Sequence, residues 1–401
     1  MIRTSTSWFF NRALSISPAL SSLTSCLFGV VGKDSSFRYD SSANRASVPD
    51  LQRKTGNLHS TTDNENGLKF VAIGGGTGLS TLLAGLKQRV GKHQDDGLWI
   101  ENLAAIVTVS DDGGSSGRLR DELQMLPPGD IRNCMIALSE DSTLLSRLFR
   151  YRFRGEGALG GHSFGNLFLA ALTEVTGDFV EAVRLSSEVL ASKGHIYPAT
   201  INDVRLVAEL EDGTVAQGET QITASSSAIR SLRLEPEQCL PLPEALAAIR
   251  IADVITVGPG SLYTSILPNL LVARVAQAIG DAKATKIFIC NLMTQPGETD
   301  GYTARQHLEV VKRYAPEIHF DFVIVNNRPV SEEQRRRYAA EGANQIGLNE
   351  DAINQVINGD TEVVRADLLA RGEKARHDSE SLAGVVFSCR QQAVSQPAVS
   401  A

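Results

Sequence analysis

The chain has 401 residues, 42% of them hydrophobic and 21% charged, enough to bury a full core in one large or two smaller domains. Its net charge of −7 argues against a whole-chain nucleic-acid binder, because phosphate contacts call for a basic surface. The five cysteines lie far apart without a C-x-x-C pair, which argues against a zinc site or a disulfide framework.

The first 66 residues differ in composition from the rest. Residues 1–33 are rich in serine and threonine and include basic residues, but no acidic residue occurs before Asp34. This composition is typical of an organellar transit segment, and a disordered N-terminal extension explains it equally. If residues 1–66 contain a transit peptide, we expect an organellar protein, and otherwise a cytoplasmic one. We expect no membrane span, because the stretch SPALSSLTSCLFGVV, residues 17–31, contains too many polar residues.

Strand-like and helix-like segments alternate from residue 67 to residue 388, and residues 389–401 have the composition of a loose tail. The strand-like runs are residues 69–73, 103–109, 253–257, 286–291 and 321–326. Each is followed by a turn and most then by a helical pattern, which predicts an α/β fold with a mainly parallel sheet covered by helices. Two alternating runs around Asp212 and Gly213 predict a small β-hairpin excursion.

The first strand-like run leads into a glycine turn and then into a helix-like segment. The turn comprises Gly74, Gly75, Gly76, Thr77 and Gly78. Strand, glycine turn and helix in this order are typical of a phosphate-binding unit. The spacing fits neither G-x-G-x-x-G, because a leucine occupies the third glycine position, nor the nucleoside-triphosphate loop. The turn thus predicts a phosphate site without identifying its ligand.

Two carboxylates follow the second strand-like run. Asp111 and Asp112 are suited to bonding a ribose hydroxyl or holding Mg²⁺ beside phosphates, although Asp-Gly is also ordinary turn chemistry. Further along, Pro-Pro-Gly interrupts the chain, and Asp130 is expected to cap the next helix. Arg132 and Asn133 fall in the first turn of that helix, where they either reach a ligand or decorate the surface.

Residues 161–165 match the G-x-S-x-G nucleophile elbow of hydrolases. That elbow follows an apolar strand, whereas the residues before this one are rich in glycine. The favoured interpretation is a helix N-terminus at which Ser163, Asn166 and backbone N–H groups face an anion or a base. A tight loop that enters a buried helix is the alternative.

The strand-like run at 253–257 is followed by the most specific turn in the chain. Gly258 and Gly260 let the backbone approach a ligand, and Ser261 is positioned to cap the next helix. Tyr263 either stacks on a base or packs in the core. Because parallel strands end at one edge of a sheet, this turn and the first glycine turn are predicted to line one diphosphate site.

The strand-like run at 286–291 ends in amide and hydroxyl side chains. Asn291, Thr294 and Gln295 are suited to hydrogen-bonding the hydroxyl groups of a sugar. They extend the predicted site along the same edge of the sheet.

Six segments in this order resemble the gluconeogenesis-factor family typified by YvcK, within the CofD-like superfamily: IGGGTGLSTLL, TVSDDGGSSGRLR, PPGDIRNCMIALS, GHSFGNLFLAALT, VGPGSLYTSILPNLLV and CNLMTQPGETDGYTARQH. The resemblance covers residues 68–345 and implies a Rossmann-like three-layer fold with its site at the strand ends. Members similar to YvcK are bacterial cytoplasmic proteins needed for growth and cell shape on gluconeogenic carbon sources. They bind UDP-sugars such as UDP-N-acetylglucosamine. In the CofD branch, Mg²⁺-dependent enzymes transfer a phospholactyl group from a guanosine diphosphate donor to a deazaflavin alcohol.

Two functions therefore stay open. The resemblance favours a regulatory protein that binds a nucleotide sugar without turnover, since no general base is evident beside the turns. The alternative is a transferase similar to 2-phospho-L-lactate transferase, with Asp111 and Asp112 as candidate Mg²⁺ ligands. A dehydrogenase is disfavoured by the broken G-x-G-x-x-G pattern. No cofactor other than Mg²⁺ is suggested, and the sequence is compatible with a homo-oligomer.

Overall fold

The computed structural model describes residues 67–91, 98–140, 144–347 and 361–395, so the predicted extension at residues 1–66 lies outside the described residues. The strands in these residues are β1 (Leu68–Gly74), β2 (Ile100–Val107), β3 (His195–Pro198), β4 (Arg205–Leu210), β5 (Val215–Gln217), β6 (Ile229–Glu235), β7 (Val254–Val257), β8 (Thr285–Ile289), β9 (Phe322–Asn326) and β10 (Glu362–Ala366).

The α-helices of the described residues are α1 (Gly76–Leu86), α2 (Gly114–Leu123), α3 (Gly129–Leu138), α4 (Leu144–Arg150), α5 (Phe164–Thr176), α6 (Phe179–Val189), α7 (Glu219–Thr223), α8 (Pro243–Ile251), α9 (Leu267–Leu271), α10 (Val275–Asp281), α11 (Ala304–Tyr314), α12 (Glu332–Ala340) and α13 (Ser379–Ser395). A 3₁₀ turn (Lys87–Arg89) and a π-helical turn (Leu262–Ile266) complete them. Local sequence fixes several helix starts. Capping boxes formed by Thr303 with Gln306 and by Ser331 with Gln334 begin α11 and α12.

Seven strands form one parallel sheet in the order β10-β9-β8-β7-β1-β2-β3. The chain runs from β1 outward through β2 to β3, and later runs from β7 outward through β8 and β9 to β10. The strand order therefore reverses between β1 and β7, whose ends lie side by side because Ile73 pairs with Val257. In open α/β sheets, ligands bind in the crevice at such a reversal. We call this crevice the switch point.

Both faces of the central strands are covered by helices. In β1, successive residues from Phe70 to Ile73 are at most 2% exposed, although their side chains point alternately to the two faces. The five strand-like runs predicted from the sequence correspond to β1, β2, β7, β8 and β9. The α/β class and the Rossmann-like parallel sheet are therefore confirmed.

A second, antiparallel sheet has the order β5-β4-β6 and confirms the predicted hairpin. The hairpin turns at Asp212, whose Oδ1 accepts the N–H of Thr214 at 2.9 Å, and Gly213, which has a φ of +83°. The sequence did not indicate β3, β6 or β10. Strand β3 has only four residues, β6 alternates around a polar face, and β10 is an edge strand without fully buried residues, so none forms a long apolar run.

The predicted loose tail differs from the structure, because α13 continues to Ser395. Cys389 is 1% exposed, and Nη1 of Arg390 donates to Oγ1 of Thr285 at 3.0 Å, which attaches the helix to β8. The residues after Cys389 are mostly polar, but packing on one face of the helix is enough to stabilise it. Residues 396–401 lie outside the described residues.

None of the helices in the described ranges is by itself long and apolar enough to cross a membrane. One bent pair, Leu262–Leu271 with Val275–Asp281, meets at 79° and has the length and apolar composition of a membrane span only when the two helices are taken together.

Candidate functional site

The turn after β1 presents the N-terminus of α1, whose own N-cap residue, Gly75, has no side chain to cap it. Gly76 has a φ of +61°, a left-handed conformation that favours glycine, and α1 begins there with no side-chain cap and no acidic residue in its first turn. The first N–H groups of a helix have no acceptor within it, and the helix dipole makes this end partly positive. The turn therefore offers hydrogen-bond donors to an anion.

The turn after β7 contacts the first turn directly. A Cβ on Gly78 would lie 2.4 Å from the carbonyl oxygen of Pro259, so only glycine allows the two backbones to touch. Gly258 has a φ of +85°, and a Cβ there would lie 2.7 Å from the carbonyl oxygen of Ile289. The predicted convergence of the two glycine turns is therefore present in the fold.

A chain of hydrogen bonds links the second turn to the segment after β8. The N–H of Gly260 donates to Oδ1 of Asn291 at 3.0 Å, and Nδ2 of Asn291 donates to Oε1 of Gln295 at 3.3 Å. Nε2 of Gln295 then donates to Oγ of Ser261 at 2.5 Å. Ser261 makes no capping bond to the following helix, which begins as a π-helical turn. The expectation that Ser261 caps this helix was wrong, because Gln295 uses its hydroxyl.

A cavity of about 400 Å³ opens at the switch point. Its walls come from both glycine turns, from the segment after β8, from the end of α12 and from the segment before α13. The lining residues are Gly75, Gly76, Thr77, Gly78, Thr81, Pro259, Gly260, Ser261, Ser265, Asn291, Leu292, Met293, Thr294, Gln295, Pro296, Tyr338, Glu341, Ala343, Ala375, Arg376 and His377.

Gly74 and Gly258 belong to the two turns but do not line this cavity. The carbonyl oxygen of Gly74 accepts the N–H of Thr108 at 3.0 Å and Nδ2 of Asn269 at 3.1 Å, so it anchors the turn to the sheet. Thr294 lines the cavity, but its hydroxyl already accepts the N–H of Asn344 at 2.8 Å.

Several lining residues were not predicted from the sequence. Arg376 is exposed and is the one arginine or lysine that lines this cavity, and it makes no ion pair with the described residues. Glu341 and Tyr338 come from the end of α12, and His377 is 8% exposed beside Arg376. Burial lowers the pKa of His377 to about 4, so it is neutral at pH 7. These residues do not follow glycine turns, so no local motif marked them.

A second group of predicted residues lies apart from the cavity lining. Ser163 caps α5, because its Oγ accepts the N–H of Asn166 at 3.1 Å, and it also accepts Nη1 of Arg132 at 2.5 Å. Nδ2 of Asn166 donates to Oγ of Ser115 at 3.1 Å, and Nη2 of Arg132 donates to Asn133 at 2.7 Å. The interpretation of Ser163 as a helix entry is confirmed.

The histidine next to Ser163 is not its general base. Nδ1 of His162 lies 3.0 Å from Oγ of Ser115, on α2. Tyr263 is 2% exposed and does not line the cavity, since its hydroxyl lies 3.1 Å from that of Tyr302. Of the two roles considered for Tyr263, core packing is the one that the structure has.

Asp130 does not cap α3, which begins after Pro128. Instead, its carboxylate accepts the N–H of Gly76, the first residue of α1. Burial and the nearby Asp111 raise the pKa of Asp130 to about 6, against the opposing effects of the Gly76 bond and Arg132. A buried acid therefore lies against the first glycine turn.

The two candidate metal ligands have different surroundings. Oδ1 of Asp112 accepts the N–H of Thr220 at 2.9 Å and its hydroxyl at 2.8 Å, which ties α7 to the segment between β2 and α2. Oδ1 of Asp111 accepts the N–H of Gly113 at 2.8 Å. Burial raises the pKa of the nearby Glu219 to about 8, and the negative charge of Asp111 adds to this effect.

These carboxylates do not form an all-protein metal cage. Within the described residues, no group of three or more His, Cys, Asp or Glu side chains is placed to hold a metal ion. Mg²⁺ commonly takes only one or two carboxylates and completes its shell with phosphates and water. Oδ1 of each aspartate already bonds a protein group, so each would offer such an ion its other carboxylate oxygen.

Comparison with known proteins agrees with this architecture. The family model described as 2-phospho-L-lactate transferase CofD matches residues 70–369. The chain is 47% identical over 320 residues to the putative gluconeogenesis factor of Thermotoga maritima, covering 80% of this chain and 98% of that protein. It is 44% identical over 319 residues to the gluconeogenesis factor of Bacillus subtilis, covering 79% and 96%.

A solved structure is also similar. The crystal structure of protein BH3568 from Bacillus halodurans, described as a member of the UPF0052 family, has 42% identity and a TM-score of 0.74. The match covers 80% of this chain and 99% of that chain. The family match includes both glycine turns and every strand of the parallel sheet except the first residues of β1.

Proposed function

Because the chain belongs to the CofD family, among the relatives called gluconeogenesis factors, we propose that it is a regulatory protein that binds a nucleotide sugar. Its role is to support growth and normal cell shape on gluconeogenic carbon sources. The ligand is a nucleoside diphosphate sugar such as UDP-N-acetylglucosamine. It binds in the switch-point cavity with its diphosphate against the two glycine turns.

The observation that carries this proposal is the start of α1 at the wall of a cavity of about 400 Å³, where the N–H groups that follow Gly76 have no side-chain cap. A volume of this size is within the range of small-molecule sites. Backbone N–H groups at a helix N-terminus bind phosphate, and the helix dipole contributes about 0.3–1 kcal/mol. Gly76 leaves the approach to these N–H groups open, whereas Gly75 and Gly78 allow close packing against Asp130 and Pro259.

Arg376 supplies the positive charge that a diphosphate requires. Its exposed guanidinium can make two parallel hydrogen bonds to phosphate oxygens. Asn291, Thr294 and Gln295 already bond protein groups, so they shape the cavity more than they contact a ligand. The exposed side chains of Thr77 and Glu341 are better placed to bond the sugar hydroxyls.

A second candidate function is a transferase that acts on a nucleoside diphosphate linkage, and the CofD family match favours it. Asp111, together with the ligand phosphates, would hold Mg²⁺, which would neutralise charge on those phosphates. Asp130 lies against the same turn, and a carboxyl with a pKa of about 6 can hold or release a proton near neutral pH.

Calorimetric titration of the full chain tests the proposal. UDP-N-acetylglucosamine and UDP are expected to bind, and free N-acetylglucosamine is not, because the diphosphate supplies most of the contacts. Arg376→Ala should weaken UDP-N-acetylglucosamine by about tenfold, or 1.4 kcal/mol. Arg371→Ala is the matched control, since Arg371 is exposed nearby but does not line the cavity. Absence of any binding by UDP-N-acetylglucosamine would refute the proposal.

The two candidate functions differ in whether a product forms. The chain is incubated with Mg²⁺, a guanosine diphosphate donor carrying a phospholactyl group, and a deazaflavin alcohol, and ³¹P NMR follows the phosphorus signals. The regulatory function predicts an unchanged donor signal. Appearance of a new phosphodiester signal would instead show that the chain is a transferase.

A further inference from the structure

The surface around α4 combines exposed apolar side chains with arginines. Leu144 is 67% exposed, Leu148 36% and Tyr151 48%. Leu144 and Leu148 are four residues apart and lie on one face of α4, and Tyr151 directly follows the last residue of the helix. Leu145, which is 37% exposed, lies beside that face. We call residues 144–154 the α4 patch.

The opposite face of α4 is fixed to the body of the protein. Phe149 is fully buried, and its ring centroid lies 5.0 Å from that of Phe168 and 6.0 Å from that of Phe164, both on α5. Ser146 is 1% exposed. The leucines of the α4 patch are therefore held outward by a packed helix and do not belong to a frayed segment.

The α4 patch is cationic in an otherwise acidic chain. It contains four exposed arginines and no acidic residue: Arg147, Arg150, Arg152 and Arg154. None of the four forms an ion pair with a described residue. Arg152 donates to the carbonyl oxygen of Gly161, and Arg118 donates to that of Gly160 at 2.7 Å, so the adjoining loop is held in place. Glu156, in that loop, is the nearest acidic residue in the sequence.

We propose that the α4 patch docks on the surface of an anionic lipid bilayer. Leucine and tyrosine side chains would enter the boundary between headgroups and acyl chains, while the arginines meet lipid phosphates. Each basic residue near an anionic bilayer adds to the attraction. This charge complementarity selects a lipid surface with a negative headgroup over a neutral one.

Size and shape favour a bilayer over a protein partner. Three leucines on one short helix and the tyrosine after it expose at most a few hundred Å² of apolar surface, whereas a stable protein interface buries about 800 Å² on each partner. A convex helix face also needs a complementary groove in a protein, but not in a bilayer. A two-fold contact between copies would bring arginine against arginine. The inference is independent of the proposed function, because the α4 patch does not line the switch-point cavity.

Vesicle co-sedimentation of the full chain tests this inference. The chain is mixed with vesicles of phosphatidylcholine alone or with phosphatidylglycerol added, at low and high salt. We expect it to sediment with the phosphatidylglycerol vesicles only, and to be released by high salt because screening weakens surface attraction. Equal sedimentation with both vesicle types, or none with either, would overturn the inference.

Paired variants locate the binding surface. Arg147→Glu with Arg150→Glu should lower the vesicle partition coefficient by at least about thirtyfold, or 2 kcal/mol. Leu144→Ser with Leu148→Ser should lower it by at least about tenfold. The matched controls change exposed residues elsewhere in the same way: Arg250→Glu with Lys283→Glu, and Leu240→Ser with Val394→Ser.

Circular dichroism melts and titration with UDP-N-acetylglucosamine verify that each variant is folded. Patch variants that bind vesicles as well as their controls would overturn the inference. So would a concentration-dependent dimer that the patch variants abolish, because the occupant would then be a second copy.

Discussion

Replacing Gly76 by alanine separates ligand binding from backbone strain, because the chain contains a matched glycine elsewhere. Gly76 has a φ of +61° and Gly91 a φ of +68°. A Cβ on Gly91 would meet no atom within 4 Å, and a Cβ on Gly76 would meet only Oγ of Ser265, at 3.7 Å. Neither alanine clashes, so each should cost only the left-handed conformation, about 1–2 kcal/mol of the free energy of unfolding.

The two variants should differ in affinity. Gly76 lines the cavity at the start of α1, and a methyl group there would keep a phosphate away from the first N–H groups of the helix. We expect Gly76→Ala to weaken UDP-N-acetylglucosamine by at least about tenfold, or 1.4 kcal/mol, and Gly91→Ala to leave the affinity unchanged. Urea melts and calorimetric titration measure the two quantities. Equal affinity in two variants with equal loss of stability would refute the phosphate site at this turn.

Four further predictions follow from other contacts. Asp130→Asn should raise the free energy of unfolding by up to about 3 kcal/mol at about pH 7.5, because the fold raises the pKa of this carboxyl from 3.8 to about 6 and so disfavours its ionised form. The gain should shrink as the pH falls from about 6 and vanish below about pH 4, and equal gains in urea melts at both pH values would contradict this origin. Ser163→Ala should lower stability by about 1 kcal/mol through the lost cap and leave ester hydrolysis unchanged; a large loss of activity against a nitrophenyl ester would restore the nucleophile interpretation. Asp112→Ala should speed amide hydrogen exchange in β5 and α7 but not in β1, because both bonds to Thr220 are lost, and unchanged exchange would argue against this link. Deletion of residues 1–66 should preserve a cooperative melt and the affinity for UDP-N-acetylglucosamine, and loss of either would show that the folded unit begins earlier.

The sequence predicted those parts of the site that depend on local pattern. A buried run followed by glycines marks a strand end, and parallel strands bring such ends to one edge, so the meeting of the turns at Gly78 and Pro259 followed from sequence order. The predicted ligand residues nevertheless divide into two groups. Ser163 and Asn166 bond to Arg132 and Ser115, away from the cavity lining, because strand order alone does not fix where a helix start points.

The remaining features depend on tertiary contacts that no local pattern records. Asp130 is of a residue type common at helix caps, but it lies within the first turn of α3 and its carboxylate bonds the N–H of Gly76 at the start of α1. Ser261, which follows β7, likewise bonds Gln295, which follows β8, and does not cap the helix that begins after it. Arg376 reaches the cavity from the segment before α13, far along the chain from both glycine turns, so only the folded structure identifies it.

A crystal structure of the chain with UDP-N-acetylglucosamine tests the central claim most directly. We predict electron density for the diphosphate within hydrogen-bonding distance of the N–H groups at Thr77 and Gly78 and of the Arg376 guanidinium. Density for the nucleotide sugar elsewhere on the protein, with the switch-point cavity holding only water, would contradict the account.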